Sequence, residues 1–251
     1  MSMPVKQGLI ILLIFAGALS CKKDSKPTPG DNYPQSVTFT YGGKTETFGV
    51  VKRTYSKDAA GQPLPAPVVK LWLDRNLGAS RVAISPYDTL ASGDLFQWGR
   101  QADGHQYRYS KTTDTASATI VPGHDKFIVK SPDSDWLITH NDSLWNGISN
   151  TNCPCPNGWR VPAAGELGME MHSWDSLTLN AAWASPLKWS VGGDRDGVGH
   201  VLYATYWSFI WSSTTETDGD VSCLAIIGGY TAEVTGSSRI FGLSVRCIRD
   251  Y

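Results

Sequence analysis

The sequence has few charged residues, and they are not clustered in any one segment. Asp, Glu, Lys and Arg make up 18% of the 251 residues, and the formal net charge is −1. Because it has no polybasic segment, the chain offers no surface suited to nucleic acid. It also has no internal repeats and no heptads, which excludes solenoids and coiled coils.

Residue patterns for catalysis are also missing. The five His residues are scattered, and none has the close spacing to Glu or to a second His that zinc sites use. The sequence contains no Gly-x-Ser-x-Gly elbow and no phosphate-binding glycine loop. Carboxylate pairs such as Asp218 and Asp220 lie in polar segments, where such pairs are common. The sequence therefore predicts a non-enzymatic protein without a metal or a cofactor.

One long apolar run occurs, at residues 8–20. It follows Lys6 and has the length of a signal-peptide core. A membrane-spanning helix needs about 20 apolar residues, so this run is too short to be one. The run ends in Ala-Leu-Ser-Cys, which resembles the bacterial lipobox, although Ala18 stands where Leu is usual. The resemblance implies that Cys21 carries lipid and becomes the mature N-terminus. The alternative is a plain secretory signal cut nearby, which leaves Cys21 as an odd thiol.

The first two predicted segments are therefore a signal peptide at residues 1–20 and a flexible tether at residues 21–35. The tether is polar and rich in Pro, Gly and Lys, so it has too little apolar surface to offset the entropy of ordering it. Its opening Lys-Lys-Asp resembles a signal that sends some lipoproteins to the cell surface. We therefore expect a lipid on Cys21 to anchor the protein at the bacterial outer membrane or cell surface.

Ten Trp and 25 Gly indicate a turn-rich fold with aromatic packing. Alternating apolar and polar residues around Gly42-Gly43 predict a hairpin, and residues 36–67 are expected to form an N-terminal β-hairpin extension. Its last part, residues 56–67, reads as a polar, Pro-rich loop.

The rest of the chain favours an α+β class with antiparallel sheets, few helices and long irregular loops. Residues behind Pro162 have the strongest helix pattern. Short strands dominate the last third of the chain. Residues 101–150 lack any sustained period, which predicts a long irregular excursion that Trp136 and Trp145 fix to the domain.

Five segments resemble, in this order, a family of exported bacterial proteins, the Fibrobacter succinogenes major paralogous domain: "LWLDRNLGA" (71–79), "GDLFQWGRQADGH" (93–105), "CPNGWRVPAAGEL" (155–167), "GGDRDGVGHVLYATYWSFIWSST" (192–214) and "GLSVRCIRD" (242–250). They span nearly all of residues 68–251, the predicted main domain. The resemblance implies a C-type-lectin-like fold, which formylglycine-generating enzymes share. Those enzymes use two closely spaced cysteines near the C-terminus, whereas Cys223 and Cys247 are far apart, so oxidase activity is not expected.

Four cysteines follow Cys21, an even number that favours two disulfides in an oxidising compartment. The family pattern has one Cys ahead of Gly-Trp-Arg and another in the last strand. The resemblance therefore implies a Cys155–Cys247 bridge and leaves Cys153 to pair with Cys223. A swapped pairing of Cys153 with Cys247 is an alternative, and so is a redox-active or metal-binding Cys153-Pro-Cys155 pair.

The resemblance also implies that ligands bind on the long loops. The two Trp residues of the excursion, Trp136 and Trp145, are therefore candidates for stacking on a ligand. Rings inside the family segments are expected to fill the core instead: Trp98, Trp159, Trp207 and Trp211.

A glycine-flanked turn adds three polar candidates, Asp194, Arg195 and Asp196. The alternatives are a calcium loop and a plain glycine turn. If the turn binds a ligand, replacing these residues with Ala should leave stability nearly unchanged. The predicted function is a non-catalytic binding or adhesion module for a glycan or a protein. A purely structural envelope lipoprotein is the alternative, and a carbohydrate-active or oxidative enzyme is less favoured.

Overall fold

The hairpin predicted around Gly42-Gly43 is present and is longer than the sequence pattern indicated. The computed structural model describes residues 32–130, 134–146 and 151–251, and residues Pro34–Tyr251 form one compact unit. Strands β1 (Ser36–Tyr41) and β2 (Lys44–Lys57) pair antiparallel, with Tyr41 opposite Lys44. The signal peptide, Cys21 and most of the tether lie outside the described residues.

The other strands and the α-helices within the described residues are, in chain order, β3 (Pro63–Leu73), β4 (Phe96–Gln97), β5 (Thr112–Thr113), β6 (Phe127–Ile128), α1 (Ala164–Met171), α2 (Leu179–Ala184), β7 (Asp194–Arg195), β8 (Val201–Leu202), β9 (Trp207–Thr215), β10 (Val221–Ile227), β11 (Ala232–Ser237), β12 (Gly242–Leu243) and β13 (Ile248–Asp250). Three sheets are antiparallel, with the strand orders β1-β2-β3-β13, β11-β10-β9 and β4-β12-β7-β8, while β5 and β6 pair in parallel. The prediction of an α+β protein with mostly antiparallel sheets and few helices is confirmed.

The predicted boundary between residues 67 and 68 falls inside β3. This strand pairs with β2 from Lys57 opposite Pro63 to Val50 opposite Leu73, so the loop expected at 56–67 is confined to residues 58–62. On its other edge β3 pairs with β13, where Ile248 lies opposite Trp72. The hairpin is thus an integral part of the sheet that the C-terminal strand completes.

The helix expected behind Pro162 is α1. The side chain of Glu166 accepts a hydrogen bond from the backbone N–H of Ala163 at 2.9 Å, which satisfies a donor at the start of the helix. The helix packs against β9, β10 and β11. Large apolar residues from these elements and from the first sheet form one buried cluster, which includes Trp72, Leu167, Trp174, Trp189, Ile210, Leu224, Ile226 and Ile248.

The excursion after residue 100 is fixed to the domain by its two Trp residues, as the sequence predicted. Both rings are fully buried. The indole N–H of Trp136 donates to the carbonyl of Trp98 at 2.6 Å, and that of Trp145 donates to the carbonyl of Asn152 at 2.9 Å. The second expectation for the same rings, that they stack on a ligand, is therefore wrong, because neither ring reaches the surface.

One of the two predicted disulfides is present. Cys155 and Cys247 form a bridge with their Cα atoms 5.8 Å apart, across 92 residues of sequence. The predicted Cys153–Cys223 bridge is wrong, since Cys223 is a buried free thiol on β10. The physical reason is separation in the fold: Cys153 lines a cleft beside the tip of the β1–β2 hairpin, whereas Cys223 lies opposite Trp211 of β9.

Helices in the described part of the chain are short. None of them has the length and apolar character needed to cross a membrane.

Candidate functional site

The β9–β10–β11 sheet has two faces of different character. Ile210, Leu224 and Ile226 point into the core cluster. Because side chains alternate along a strand, Trp207 and Phe209 lie on the opposite face, and both are half-buried. This second face and the loops at its end carry the candidate site.

Four aromatic residues lie in the segments where β9 begins and β10 ends. We call Tyr203, Tyr206, Trp207 and Tyr230 the tyrosine platform. Tyr203, Tyr206 and Tyr230 expose 46%, 64% and 75% of their surface. The rings of Tyr203 and Trp207 stack with their centroids 3.9 Å apart. Tyr230 follows Ile227, the cross-strand partner of Trp207, so the turn after β10 lies beside the loop before β9. Exposed aromatic groups of this kind mark recognition surfaces.

Two glycines hold the platform loop close to the sheet. A Cβ atom at Gly193 would lie 2.1 Å from the carbonyl oxygen of Leu202, and one at Gly228 would lie 2.3 Å from the carbonyl oxygen of Tyr206. The N–H of Gly193 donates to the carbonyl of Trp207 at 2.8 Å, and that of Gly228 donates to the carbonyl of Tyr206 at 2.9 Å. These contacts fix the backbone that carries the rings, so the platform is organised before any ligand arrives.

Tyr203 has an unusual backbone conformation. Its φ of +53° lies in the left-handed region, which bulky residues rarely adopt. Such strain persists where surrounding structure enforces it, and it concentrates at functional sites. Here the enforcing contacts are the hydrogen bonds from the N–H groups of Tyr206 and Trp207 to the carbonyl of Tyr203, each 3.0 Å long.

A small pocket lies on the same face of the sheet. It has a volume of about 340 Å³ and is lined by Asp194, Asp220, Cys223, Phe209 and Phe241, together with Leu243 and small residues of 235–238. We call it the acidic pocket, because two carboxylates line it and no Lys, Arg or His among the described residues does. Phe209 joins it to the platform, since its ring meets that of Trp207 edge to face at 6.1 Å.

Asp194 is the most unusual group of the acidic pocket. Its Oδ1 atom is buried and has no hydrogen-bond partner within the described structure. Burial, together with the neighbouring charge of Asp196, raises the pKa of this carboxyl to about 6. Cys223 cannot serve as a nucleophile there, because burial, with the charges of Asp220, Glu233 and Asp194, raises its pKa to about 12.

The side chains of the glycine turn make contacts that the sequence analysis did not predict. Arg195 is buried and donates to Ser110 Oγ at 2.7 Å, to the Ser110 carbonyl at 2.6 Å and to the Gly199 carbonyl at 3.1 Å. Asp196 Oδ1 accepts from the N–H of His200 at 2.8 Å. Both side chains hold the turn together, so we now predict that replacing the three residues with Ala lowers stability, in contrast to the expectation from the sequence. Of the three, Asp194 alone lines the pocket.

A larger cleft lies beside the tip of the β1–β2 hairpin, with a volume of about 810 Å³. Its acid Asp103 is already engaged, because Oδ2 accepts from Arg100 Nε at 2.8 Å and Oδ1 lies 2.7 Å from Nδ1 of His105. Burial lowers the pKa of His105 to about 4, so this His is neutral. Asp103 of this cleft therefore serves the fold, whereas the exposed tyrosines and the unpartnered Oδ1 of Asp194 favour the platform and the acidic pocket as the site.

No group of three or more His, Cys, Asp or Glu residues suited to a metal ion occurs in residues 32–130, 134–146 and 151–251. In the glycine turn, Asp196 Oδ1 accepts from the backbone N–H groups of Val198 and His200, which engages one oxygen of the calcium alternative.

The platform was missed by sequence reasoning. Trp207 was expected in the core together with Trp98, Trp159 and Trp211; those three are buried, whereas Trp207 is half-buried and exposed enough to stack on Tyr203. The available signal was the local density of rings, since three of the five residues 203–207 are aromatic.

Comparisons with known proteins add no relative: no family model, no curated protein and no solved structure matches the chain.

Proposed function

We propose that this chain is a non-catalytic, lipid-anchored surface protein whose folded unit binds a glycan through the tyrosine platform. The proposal includes lipidation at Cys21 and a location at the bacterial outer membrane or cell surface. It also includes a C-type-lectin-like fold of the major paralogous domain type. These parts rest on the sequence resemblances, whereas the choice of ligand rests on the platform.

The observation that carries the proposal is the exposure of three tyrosines beside a stacked Trp207 on a braced loop. Aromatic rings offer flat apolar faces with a polar rim, which suits the alternating C–H and hydroxyl surfaces of a sugar. Tyr side chains also lose little conformational entropy on binding, because they have only two rotatable bonds. The adjoining acidic pocket supplies oxygen acceptors for donors on the same ligand.

Binding of the purified protein to an immobilised glycan panel tests this function. Replacing Tyr206 and Tyr230 with Ala should weaken binding at least about tenfold, because truncating an aromatic hot spot costs about 2 kcal/mol or more. Tyr251→Ala is the matched control, since it removes a ring of similar exposure from the end of the chain. Failure to bind any glycan would contradict the proposal and favour the purely structural role.

A second candidate function is glycoside hydrolysis, which one observation favours. Asp194, with its pKa raised to about 6, could act as a general acid while Asp220 in the same pocket acts as the second carboxylate. Release of a chromophore from aryl glycosides, abolished by both Asp194→Asn and Asp220→Asn, would support this enzyme. A chain that binds glycans but releases no chromophore fits the binding module.

A further inference from the structure

The acidic pocket contains negative charge that the described residues of the pocket do not neutralise. Asp194 is 9% exposed, and its Oδ1 atom is without a hydrogen-bond partner in the described residues. Burying a carboxylate oxygen without a donor is unfavourable. A donor brought by a ligand would remove this cost.

Nearby cations are committed to other groups. The guanidinium of Arg195, next to Asp194 in sequence, bonds to Ser110 and Gly199. Arg239 follows Ser238 of the pocket lining in sequence, and its guanidinium stacks over Trp98, with Cζ 4.8 Å from the ring centroid, and pairs with Asp142. Its buried Nη1 atom has no hydrogen-bond partner in the described residues, and neither does Asp194 Oδ1, so the two groups do not bond to each other. Neither of these two cations therefore neutralises Asp194.

The walls of the pocket suit a cationic ligand group. Phe209 and Phe241 present aromatic rings, which attract cations through their negative faces. Asp194 and Asp220 supply carboxylates, which form the stronger, charge-assisted hydrogen bonds with an ammonium group. A volume of about 340 Å³ is enough for a group of monosaccharide size.

We propose that the acidic pocket binds a primary ammonium group, carried by an amino sugar whose neighbouring units stack on the tyrosine platform. This inference rests on the proposed glycan-binding function and names its ligand class. The ammonium donates to Asp194 and Asp220, and the Phe209 ring that meets Trp207 connects the pocket to the platform. An N-acetylated sugar lacks the charge, so it gains neither the ion pairs nor the cation–π contacts.

Calorimetric titration of the purified protein at pH 7 tests the inference with three methyl glycosides, of glucosamine, N-acetylglucosamine and glucose. Glucosamine should bind about tenfold to a hundredfold more tightly than the other two, the range expected for a charge-assisted hydrogen bond. Asp194→Asn should remove this preference. Asp218→Asn is the matched control: it deletes a nearby exposed charge outside the pocket and keeps an oxygen that accepts from the N–H of Asp220. If Asp194→Asn does not fold, Asp220→Asn replaces it.

The outcomes separate this inference from the function on which it rests. Equal binding of glucosamine and N-acetylglucosamine overturns the ammonium site, yet it leaves the glycan-binding function standing if both sugars depend on Tyr206 and Tyr230. A lysine amide acetylated on its α-nitrogen is the fourth ligand. Tighter binding of this ligand than of glucosamine would keep the ammonium site but contradict the amino sugar and point to a protein partner.

Discussion

Arg53 on β2 and Glu170 on α1 form a buried ion pair, with Nε 2.9 Å from Oε2. The same carboxylate accepts hydrogen bonds from four other side chains: Tyr55, Trp174, Ser185 and Trp189. One side chain thus joins the N-terminal hairpin to the first helix and to the segments that follow it.

Replacing Glu170 with Gln should destabilise the protein by about 3–5 kcal/mol, because it leaves the buried Arg53 without its counter-ion and puts an N–H group among donors. Chemical unfolding measures this loss. Asp175→Asn removes a charge from an exposed position just after α1 and should change stability by less than about 0.5 kcal/mol. Similar stabilities of the two variants would mean that the carboxylate does not organise this part of the core.

Cys155 and Cys247 should be recovered joined in non-reducing peptide maps. Removing their bridge with Cys155→Ser should cost about 4–5 kcal/mol in the chain-entropy model, because the closed loop is long.

Cys223 should react with iodoacetamide only after unfolding, since it is buried and its pKa is raised to about 12. A peptide that links Cys153 to Cys223 would contradict this arrangement.

Asp194 should make stability depend on pH in a defined direction. Burial raises the pKa of its carboxyl from 3.8 to about 6, so between these values the folded chain holds a proton that the unfolded chain has lost. Its contribution to stability therefore falls as the pH rises from about 4 to about 6.

Asp194→Asn removes this effect. The variant should match the wild type below pH 4 and exceed it by about 1–2 kcal/mol at pH 7, a value reduced because the pocket is partly solvated. Urea unfolding at both pH values measures the difference. Asp94 also has a pKa raised to about 6 by burial, but it is present in both proteins and cancels. A pH-independent difference would refute the assignment.

Gly228→Ala should disturb the platform, because its Cβ would lie 2.3 Å from the carbonyl oxygen of Tyr206. We expect a loss of about 1–3 kcal/mol, typical of an added methyl group in a packed site, and weaker glycan binding. Gly165→Ala on α1 is the control: its Cβ would meet Ala59 at 4.0 Å, so helix propensity should stabilise that variant by about 0.5–1 kcal/mol. Thermal melting and the glycan panel report the two effects separately.

Cys21→Ala should abolish incorporation of labelled fatty acid and release the protein from membranes. Firm retention requires several acyl chains on one cysteine, because a single chain binds only weakly. Undiminished labelling of the variant would end the lipoprotein proposal, whatever the folded unit binds.

Local patterns predicted local structure well. The alternation around Gly42-Gly43 predicted the first hairpin, and Pro162 marked the approach to α1. Burial was harder to predict, as Trp207 and Trp211 illustrate. They lie on the same face of β9, yet only Trp211 is fully buried. Periodicity predicts the face of the strand on which a residue lies. Whether that face is buried depends on segments that are distant in sequence.

The candidate site depends on such distant partners even more strongly. Asp194 and Arg195 are neighbours in sequence but differ in their contacts. Arg195 donates a hydrogen bond to Ser110, whereas Asp194 Oδ1 has no donor in the described residues. The family resemblance implied ligand-stacking rings at Trp136 and Trp145, yet both rings are buried, and their indole N–H groups donate to backbone carbonyls. No sequence pattern predicts these pairings.

The position of β13 sets the order in which the molecule can be completed. Ile248–Asp250 cover the edge of β3, and Cys247 immediately before them closes the bridge to Cys155. During synthesis β13 emerges well after β3, so a nascent chain presents this edge of β3 unpaired until β13 has followed. An open strand edge is a site for pairing with other chains, so the arrival of β13 protects the nascent protein against aggregation at this edge.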